Sequence, residues 1–278
     1  MLLDNSTPEN QALDTINHQV TPSLFKILTL NIAHGRGRAL NQMFVKRKAF
    51  AYNLDAISRL LRHCDADIVA LQEVDKASIW SGRFDHAEHI ASRVGYKWKA
   101  HANHARSWLF NYGTAILSHH PIIDTYEKRF SPTPPTLRKG FLIGKIAWPT
   151  SVIPSQSRVI DIVSVHMDFM SKKAQMNQTE ELIETLSGRE NPMIILGDFN
   201  NEWRTTDSPL KTLCERLNLK AHEPDAKHLA THNNRRIDWI LLSQEFNFRG
   251  HTVLPDVVSD HQAVIAEIEM ANRHPSTS

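Results

Sequence analysis

Met193-Ile194-Ile195-Leu196-Gly197-Asp198-Phe199-Asn200-Asn201 is the stretch on which the reading of this chain turns. Pro192 in front and Gly197 behind bound four apolar residues. That run is too short for a helix and suits a strand covered on both faces. It ends in glycine, a carboxylate and an amide, so a buried strand delivers polar chemistry to its tip. Asp198 and Asn200 lie two positions apart, and in an extended turn their side chains point the same way and can share a ligand. An Asx-rich turn after a core strand uses the same residue types, so the rest of the chain has to decide.

Working outward, Met176, Thr179, Ile183 and Leu186 mark a helix before this strand, and Pro209 sits in the first turn of a short helix after it. Strands are read at Phe25 to Leu30, Asp67 to Leu71, Tyr96 to Ala100, Thr114 to Ser118, Ile122 to Phe130, Phe141 to Trp148, Arg158 to Val165, Ile237 to Leu242 and Gln262 to Met270. Phe50, Leu54, Ile57 and Leu61 recur at helical spacing between Arg47 and His63, and a further helix is read around Phe84 to Val94. Strands outnumber helices, and helices fall between groups of strands. The pattern predicts an α/β (α+β) sandwich of two mixed sheets packed face to face with helices outside, rather than one doubly wound sheet.

The chain has 278 residues, enough to bury a sizeable core. Residues 1–22 are expected to form a disordered or loosely attached arm, 23–270 a single domain, and 271–278 a tail. A formal charge of +2 argues against bulk attraction to nucleic acid or to an anionic membrane, though local basic clusters stay possible. Cys64 and Cys214 stand alone, which suits a reduced compartment. Met1 to Val20 is polar, without the basic and apolar regions of a signal peptide. No apolar run approaches the roughly 20 residues of a membrane span. A cytoplasmic monomer without a transmembrane segment is expected.

Strand after strand ends in a residue that binds a metal or moves a proton. Asn31 ends the first, Glu73 follows the second, His166 follows the one before the mid-chain helix, and Asp198 and Asn200 follow the opening strand. Asp238 sits inside an apolar run, where a carboxylate is costly unless paired, and Asp260-His261 precedes the last strand. On one shared sheet edge these residues would form a rim too acidic to be stable without a cation. A hard divalent ion such as Mg²⁺, with Mn²⁺ as a substitute, suits carboxylate, amide and water ligands. Zinc prefers His and Cys at closer spacing; His86/His89 and His101/His104 are the local pairs, and both read as surface histidines.

Leu30-Asn31, Leu71-Gln72-Glu73, Gly113-Thr114-Ala115-Ile116-Leu117-Ser118, Val165-His166, Gly197-Asp198-Phe199-Asn200, Arg236-Ile237-Asp238 and Ser259-Asp260-His261, in that order, resemble the signatures of the endonuclease/exonuclease/phosphatase superfamily, with its DNase I-like fold. The resemblance spans roughly Phe25 to Met270. It implies a four-layered αββα sandwich and divalent-metal-dependent cleavage of phosphate esters. Position by position, Glu73 resembles the principal metal ligand, with Asn31 beside it and Asp260 holding metal directly or through water. Asp198 resembles the residue that orients or deprotonates the attacking water, with Asn200 helping to hold it and the phosphate. His261 resembles the imidazole on the scissile phosphate, Asp238 the carboxylate that fixes its tautomer, and His166 a second phosphate-facing imidazole. One departure stands out: many members carry a carboxylate within two residues of Asn31, where this chain has Ala33.

Substrate identity is less constrained, because one site can carry many specificities. Arg138 follows the proline-rich segment Ser131 to Thr136 and is favoured over Lys139 as a phosphate contact, since its planar fork suits a phosphate. Near-neutral total charge disfavours duplex DNA. The expectation is a phosphoesterase acting on a small or lipid-derived phosphodiester or phosphomonoester. A nuclease acting on DNA or RNA is the alternative, and a non-catalytic binding module on the same fold is a third.

Overall fold

Two units of strand, crossover helix and parallel strand set the architecture. The computed structural model describes residues 24–39, 41, 45–149 and 157–271; the expected N-terminal arm and nearly all of the expected tail lie outside these. The chain forms β1 (Phe25–Asn31), α1 (Arg47–Cys64), β2 (Ile68–Asp75), α2 (His86–Val94), β3 (Trp98–Arg106), β4 (Asn111–Ser118), β5 (Ile122–Arg129), β6 (Gly140–Pro149), β7 (Ser157–His166), α3 (Lys172–Leu186), β8 (Met193–Asp198), α4 (Pro209–Arg216), β9 (Lys220–Ala221), β10 (Asp238–Leu242), β11 (Phe246–Val253) and β12 (Val264–Met270). One sheet has the order β11-β12-β1-β2-β4-β3 and the other β5-β6-β7-β8-β10-β9. β1 and β2 run parallel, as do β7 and β8, and all other neighbours are antiparallel. The two helices that make these parallel crossovers are α1 and α3.

Period-two alternation sorts the side chains into three apolar layers. Ile27, Ile68, Ile116, Ile162, Leu196 and Ile240 meet between the sheets. Leu28, Leu30 and Leu71 face the other way, against Leu54 and Ile57 of α1 and Ile90 of α2. Val163, Ile195 and Trp239 cover the second sheet's outer face with Leu182 of α3 and Leu213 of α4. The order of layers is therefore helix, sheet, sheet, helix, as the sequence predicts. Phe50, Leu54, Ile57 and Leu61 are all buried, which explains the helical spacing of α1. Ser171 and Ser208 cap α3 and α4 by accepting from the backbone N–H of Ala174 and Lys211. Among the described residues no helix is long and apolar enough to cross a membrane.

Several expectations need correction. The strand β11 adds to the strands expected from the sequence: its burial pattern is broken, with exposed positions interleaved among half-buried ones, as suits the edge strand it is. β3 begins at Trp98 and extends to Arg106, well past the Ala100 expected. His86 and His104, expected at the surface, are buried. His86 Nε2 lies against the Ser81 carbonyl and His104 Nε2 against the Thr114 hydroxyl.

Gly197 is required by close approach rather than by turn chemistry. Its φ is +146° and a Cβ there would lie 2.0 Å from the Val165 carbonyl oxygen on the neighbouring strand. Gly197→Ala is expected to cost roughly 2–4 kcal/mol, read as a lowered urea midpoint with an unchanged slope.

Candidate active site

The alternation that builds the inner core also aims the polar tips. On β7, Ile160 and Ile162 face the inter-sheet core, and His166 lies on the same face four residues further on. On β8, Ile194 and Leu196 are followed in phase by Asp198; on β10, Asp238 precedes Ile240 and Leu242 in phase. Asn31 is in phase with Phe25 and Ile27. The antiparallel register sets Asp238 opposite Asp198, and the parallel register sets His166 beside it. The C-terminal ends of both parallel pairs thus converge, one from each sheet. The rim expected on one sheet edge is instead shared by two sheets, because the residues project into the gap between them.

Glu73 reaches the site by a different device. Strict alternation would send it into the helix layer, but the β2–β4 register shifts between Gln72 and Val74, and Glu73 takes φ +54°. The bulge returns Val74 to the outer core and turns Glu73 to the mouth. Beneath it, Thr29 donates to Gln72 (3.3 Å), and Gln72 donates to Ser164 across the sheets (3.3 Å).

The centre contains Asp198. Asn31 Nδ2 and the backbone N–H of Asn200 donate to its two oxygens, both at 3.0 Å. Asn31 Oδ1 accepts from the Ala33 N–H at 2.9 Å, so this amide holds Asp198 and the following loop together. The Asn200 side chain donates to the Met167 carbonyl at 3.0 Å. His261 Nδ1 donates to Asp238 Oδ2 at 2.9 Å and turns Nε2 to within 3.9 Å of Asp198. Burial and the nearby Asp238 carboxylate push the Asp198 acid up to about 7, against the pull of His261. Burial alone would lower His261, but Asp238 and Asp198 override it and raise the imidazolium to about 10. His166 Nε2 lies 3.7 Å from Asp198 and 3.8 Å from Glu73. Burial and the Lys139 ammonium hold this imidazole neutral, well below its ordinary value.

Opposite stands a second carboxylate–imidazole pair, Asp75 with His34 of the glycine-punctuated loop after Asn31. Asp75, fully buried, accepts from His34 Nδ1 and from Trp80 Nε1, both at 2.7 Å. His34 Nε2 then faces Glu73 at 3.4 Å. Arg36 spans Glu73 (3.6 Å) and Asp260, with which it pairs tightly. Burial opposes ionisation of Glu73, but His34, Lys139, His166 and Arg36 hold it well below the usual carboxylate range. The 3-10 turn Ala33–Gly35, with His34 at φ +54°, carries His34 and leads directly into Arg36. An Asp that alternates with Glu73 on one strand, followed by an aromatic loop, was the available signal.

Arg138 is exposed and outside the cluster, whereas its neighbour Lys139 is buried. The Lys139 ammonium lies 5.8 Å from the Tyr112 ring centre and 6.0 Å from that of Phe169; burial lowers its pKa, against the pull of Glu73 and Asp198. The proline-rich loop before it is pinned by Asp168, which accepts from Thr133 (2.9 Å) and Thr136. His232, also unread, sets Nδ1 on the Asp260 carbonyl at 2.9 Å, with its ring 4.5 Å from His261. Asn31, Glu73, His166, Asp198, Asn200, Asp260 and His261 all line one cleft of about 330 Å³, with Asp238 directly behind.

The donor set fits a hard divalent ion. Glu73 and Asp260 offer carboxylate oxygens at the mouth, where Arg36 spans the two, and the buried Asp238 Oδ1 has no hydrogen-bond partner. Candidate ligand atoms lie within 4.8 Å of one another in two groups, Asp198–Asp238–His261 and His232–Asp260–His261. In the first, His261 Nδ1 is already committed to Asp238, which suits proton handling better than ligation.

The sequence profile of the Endonuclease/Exonuclease/phosphatase family matches residues 28–261. No curated relative matches the sequence. Among solved structures, an endonuclease/exonuclease/phosphatase from Beutenbergia cavernae DSM 12333 superposes with a TM-score of 0.68 at 16% identity, over 90% of this chain and 72% of that one. The human Nocturnin catalytic domain with bound sulfate gives 0.65 at 19%, over 89% and 95%. A mannosyl-6-phosphatase from Bacteroides thetaiotaomicron VPI-5482 gives 0.63 at 17%, over 88% and 99%. These likenesses establish the fold, and the profile spans every one of the converging strand tips from Asn31 to His261. With the αββα layers and the shared rim, that places the chain in the endonuclease/exonuclease/phosphatase family.

Proposed function

We propose that the protein is a divalent-metal-dependent phosphoesterase that hydrolyses a small or lipid-derived phosphate ester by in-line attack of water. One observation carries the reading: a single buried carboxylate, Asp198, is hydrogen-bonded by Asn31 and Asn200 and faced by an imidazolium that Asp238 holds in place. Glu73 would hold Mg²⁺ or Mn²⁺, with Asp260 and Asn31 contributing, and the ion would polarise a phosphoryl oxygen and offset its charge. Arg36, which now balances Glu73 and Asp260, would compete with the ion for these oxygens.

The chain's own groups supply the rest. Asp198, raised to about 7, takes a proton from a water that Asn200 helps to place. His261 enters protonated and donates from Nε2 to the phosphate or the leaving oxygen, while Asp238 fixes the tautomer through Nδ1. His166, neutral, has the Nε2–H tautomer suited to the two carboxylates it faces, and can donate to a phosphate oxygen. Lys139 adds a positive charge from beneath, and with His34 and Arg36 gives the cleft three basic groups for an anion.

The test is hydrolysis by purified protein of a bis-aryl phosphate, aryl phosphomonoesters, phospholipids, plasmid and single-stranded DNA, with and without EDTA. The expected result is EDTA-sensitive turnover of a small or lipid ester exceeding that of DNA. Turnover indifferent to EDTA would sink the mechanism. Preference for single-stranded DNA would replace this substrate class with the nuclease alternative.

A further inference from the structure

The exposed apolar side chains are not scattered. Ten large hydrophobic residues are exposed among the described residues, and six of them, Ile79, Trp108, Leu137, Phe169, Met170 and Val257, lie on loops at the catalytic end. Their exposures at the tips are high: 84% for Trp108, 61% for Phe169, 60% for Met170 and 58% for Val257. The loops belong to that end by register. Asp75 pairs with Tyr112 beside the β3–β4 turn, Gly140 pairs with His166 beside the β5–β6 loop, and Leu254 donates to Ala263 across the β11–β12 loop. Single exposed apolar residues need no explanation, but a set gathered around one catalytic mouth marks a contact surface.

Their arrangement selects the occupant. The tips come from five separate loops on both sheets, so they surround the cleft instead of lining one pocket. A small ligand cannot touch them all, whereas a planar apolar layer can. Charge points the same way. Residues 32–48, 105–111 and 130–139 contain not one Asp or Glu, and apart from the paired Arg36 and the buried Lys139 their bases, Arg38, Lys46, Arg47, Lys48, Arg106 and Arg138, are all exposed, in a chain whose formal net charge is only +2. Beside the Trp108 turn, a cleft of about 290 Å³ lined by Phe50, Ile79, Trp80 and Leu109 carries Arg47 and Arg83 at its edge. An apolar floor with a basic lip matches an acyl chain below an anionic headgroup.

We propose that the catalytic end is a docking surface for a lipid bilayer bearing anionic headgroups, with Trp108, Leu137, Phe169 and Met170 entering the headgroup boundary and the surrounding arginines resting on phosphates. The proposal deepens, and rests on, the reading of a lipid-derived ester: docking in this orientation presents the cleft to a headgroup phosphodiester without extracting the lipid. Tryptophan suits such a position because its ring is amphipathic.

The experiment is co-sedimentation of the full chain with phosphatidylcholine vesicles, with and without phosphatidylglycerol, alongside hydrolysis of a soluble bis-aryl phosphate. Retention on the anionic vesicles, weakened by salt, is expected. The triple variant Trp108→Ser, Leu137→Ser, Met170→Ser should lower that retention by about tenfold or more while soluble turnover is unchanged. Arg38→Glu with Arg106→Glu is the second variant, expected to abolish the preference for anionic vesicles. Absence of wild-type retention, equal retention by both variants, or retention on single-stranded DNA in place of vesicles would each overturn the docking surface. Vesicle retention is read without turnover, so its failure leaves the phosphoesterase reading standing, and a failure of soluble turnover leaves the docking result standing.

Discussion

Asp198→Asn is expected to lower kcat/KM by about 10²–10⁴-fold, the range for loss of a positioned proton acceptor, at a stability cost of about 1–3 kcal/mol. The substitution keeps the shape and one accepting oxygen, but Asn31 Nδ2 and the Asn200 N–H donate to different oxygens of Asp198, so one of the two donors loses its acceptor. What is lost is the negative charge and the basicity. Burial beside Asp238 has raised this acid to about 7, which places its titration within the working range of an ordinary assay. The wild-type profile of kcat/KM should therefore rise as pH passes about 7, and the variant profile should lose that limb. Because Asp198 and His261 face each other at 3.9 Å, the limb belongs to the pair as measured from the ascending side. A variant that keeps both the rate and the ascending limb would remove Asp198 from the mechanism.

Asp238→Asn should have an effect of similar size, about 10²–10⁴-fold in kcat/KM, by a different route. Asp238 reaches substrate only through His261, so it is a positioning residue. An amide in its place can donate to Nδ1 and so favour the wrong tautomer. Its removal also strips away the main influence that raises His261 to about 10 against the opposing effect of burial. The descending limb of the profile should move from near 10 toward the ordinary histidine value of about 6.5. Stability supplies an independent readout. A base whose folded pKa is raised stabilises the folded state fully below its unfolded value near 6.5, and that contribution is lost as pH rises through about 10. The thermal midpoint of wild type should exceed that of the variant most at pH below about 6.5, and the gap should narrow toward pH 10. A gap that widens with pH would contradict the pairing.

Much of the site was legible because period-two alternation acts along each strand. His166, Asp198, Asp238 and Asn31 all continue the inner apolar phase of their strands, and the cost of burying them unpaired signals a shared purpose. Arg138 shows the limit. Two adjacent basic residues ahead of β6 are indistinguishable until the fold buries one of them, and that one is Lys139, set near the Tyr112 and Phe169 rings. The placement of His34, Arg36 and Asp75 depends on a 3-10 turn and a bulged strand, neither of which leaves a repeating pattern.

The sequence by itself determined the class of fold, the helix and strand types around the core, and the list of polar tips, since alternation and helical spacing are local consequences of backbone geometry. Tertiary structure alone decided that the tips meet across two sheets, that Glu73 joins them through a bulge at φ +54°, and that a second imidazole–carboxylate pair faces the first. Those outcomes depend on the pairing of residues far apart in the chain: Asn31 with Asp198, Arg36 with Asp260 and His261 with Asp238. No local interaction carries that information; it arises when two twisted sheets close on a common core and every buried charge has to find its partner.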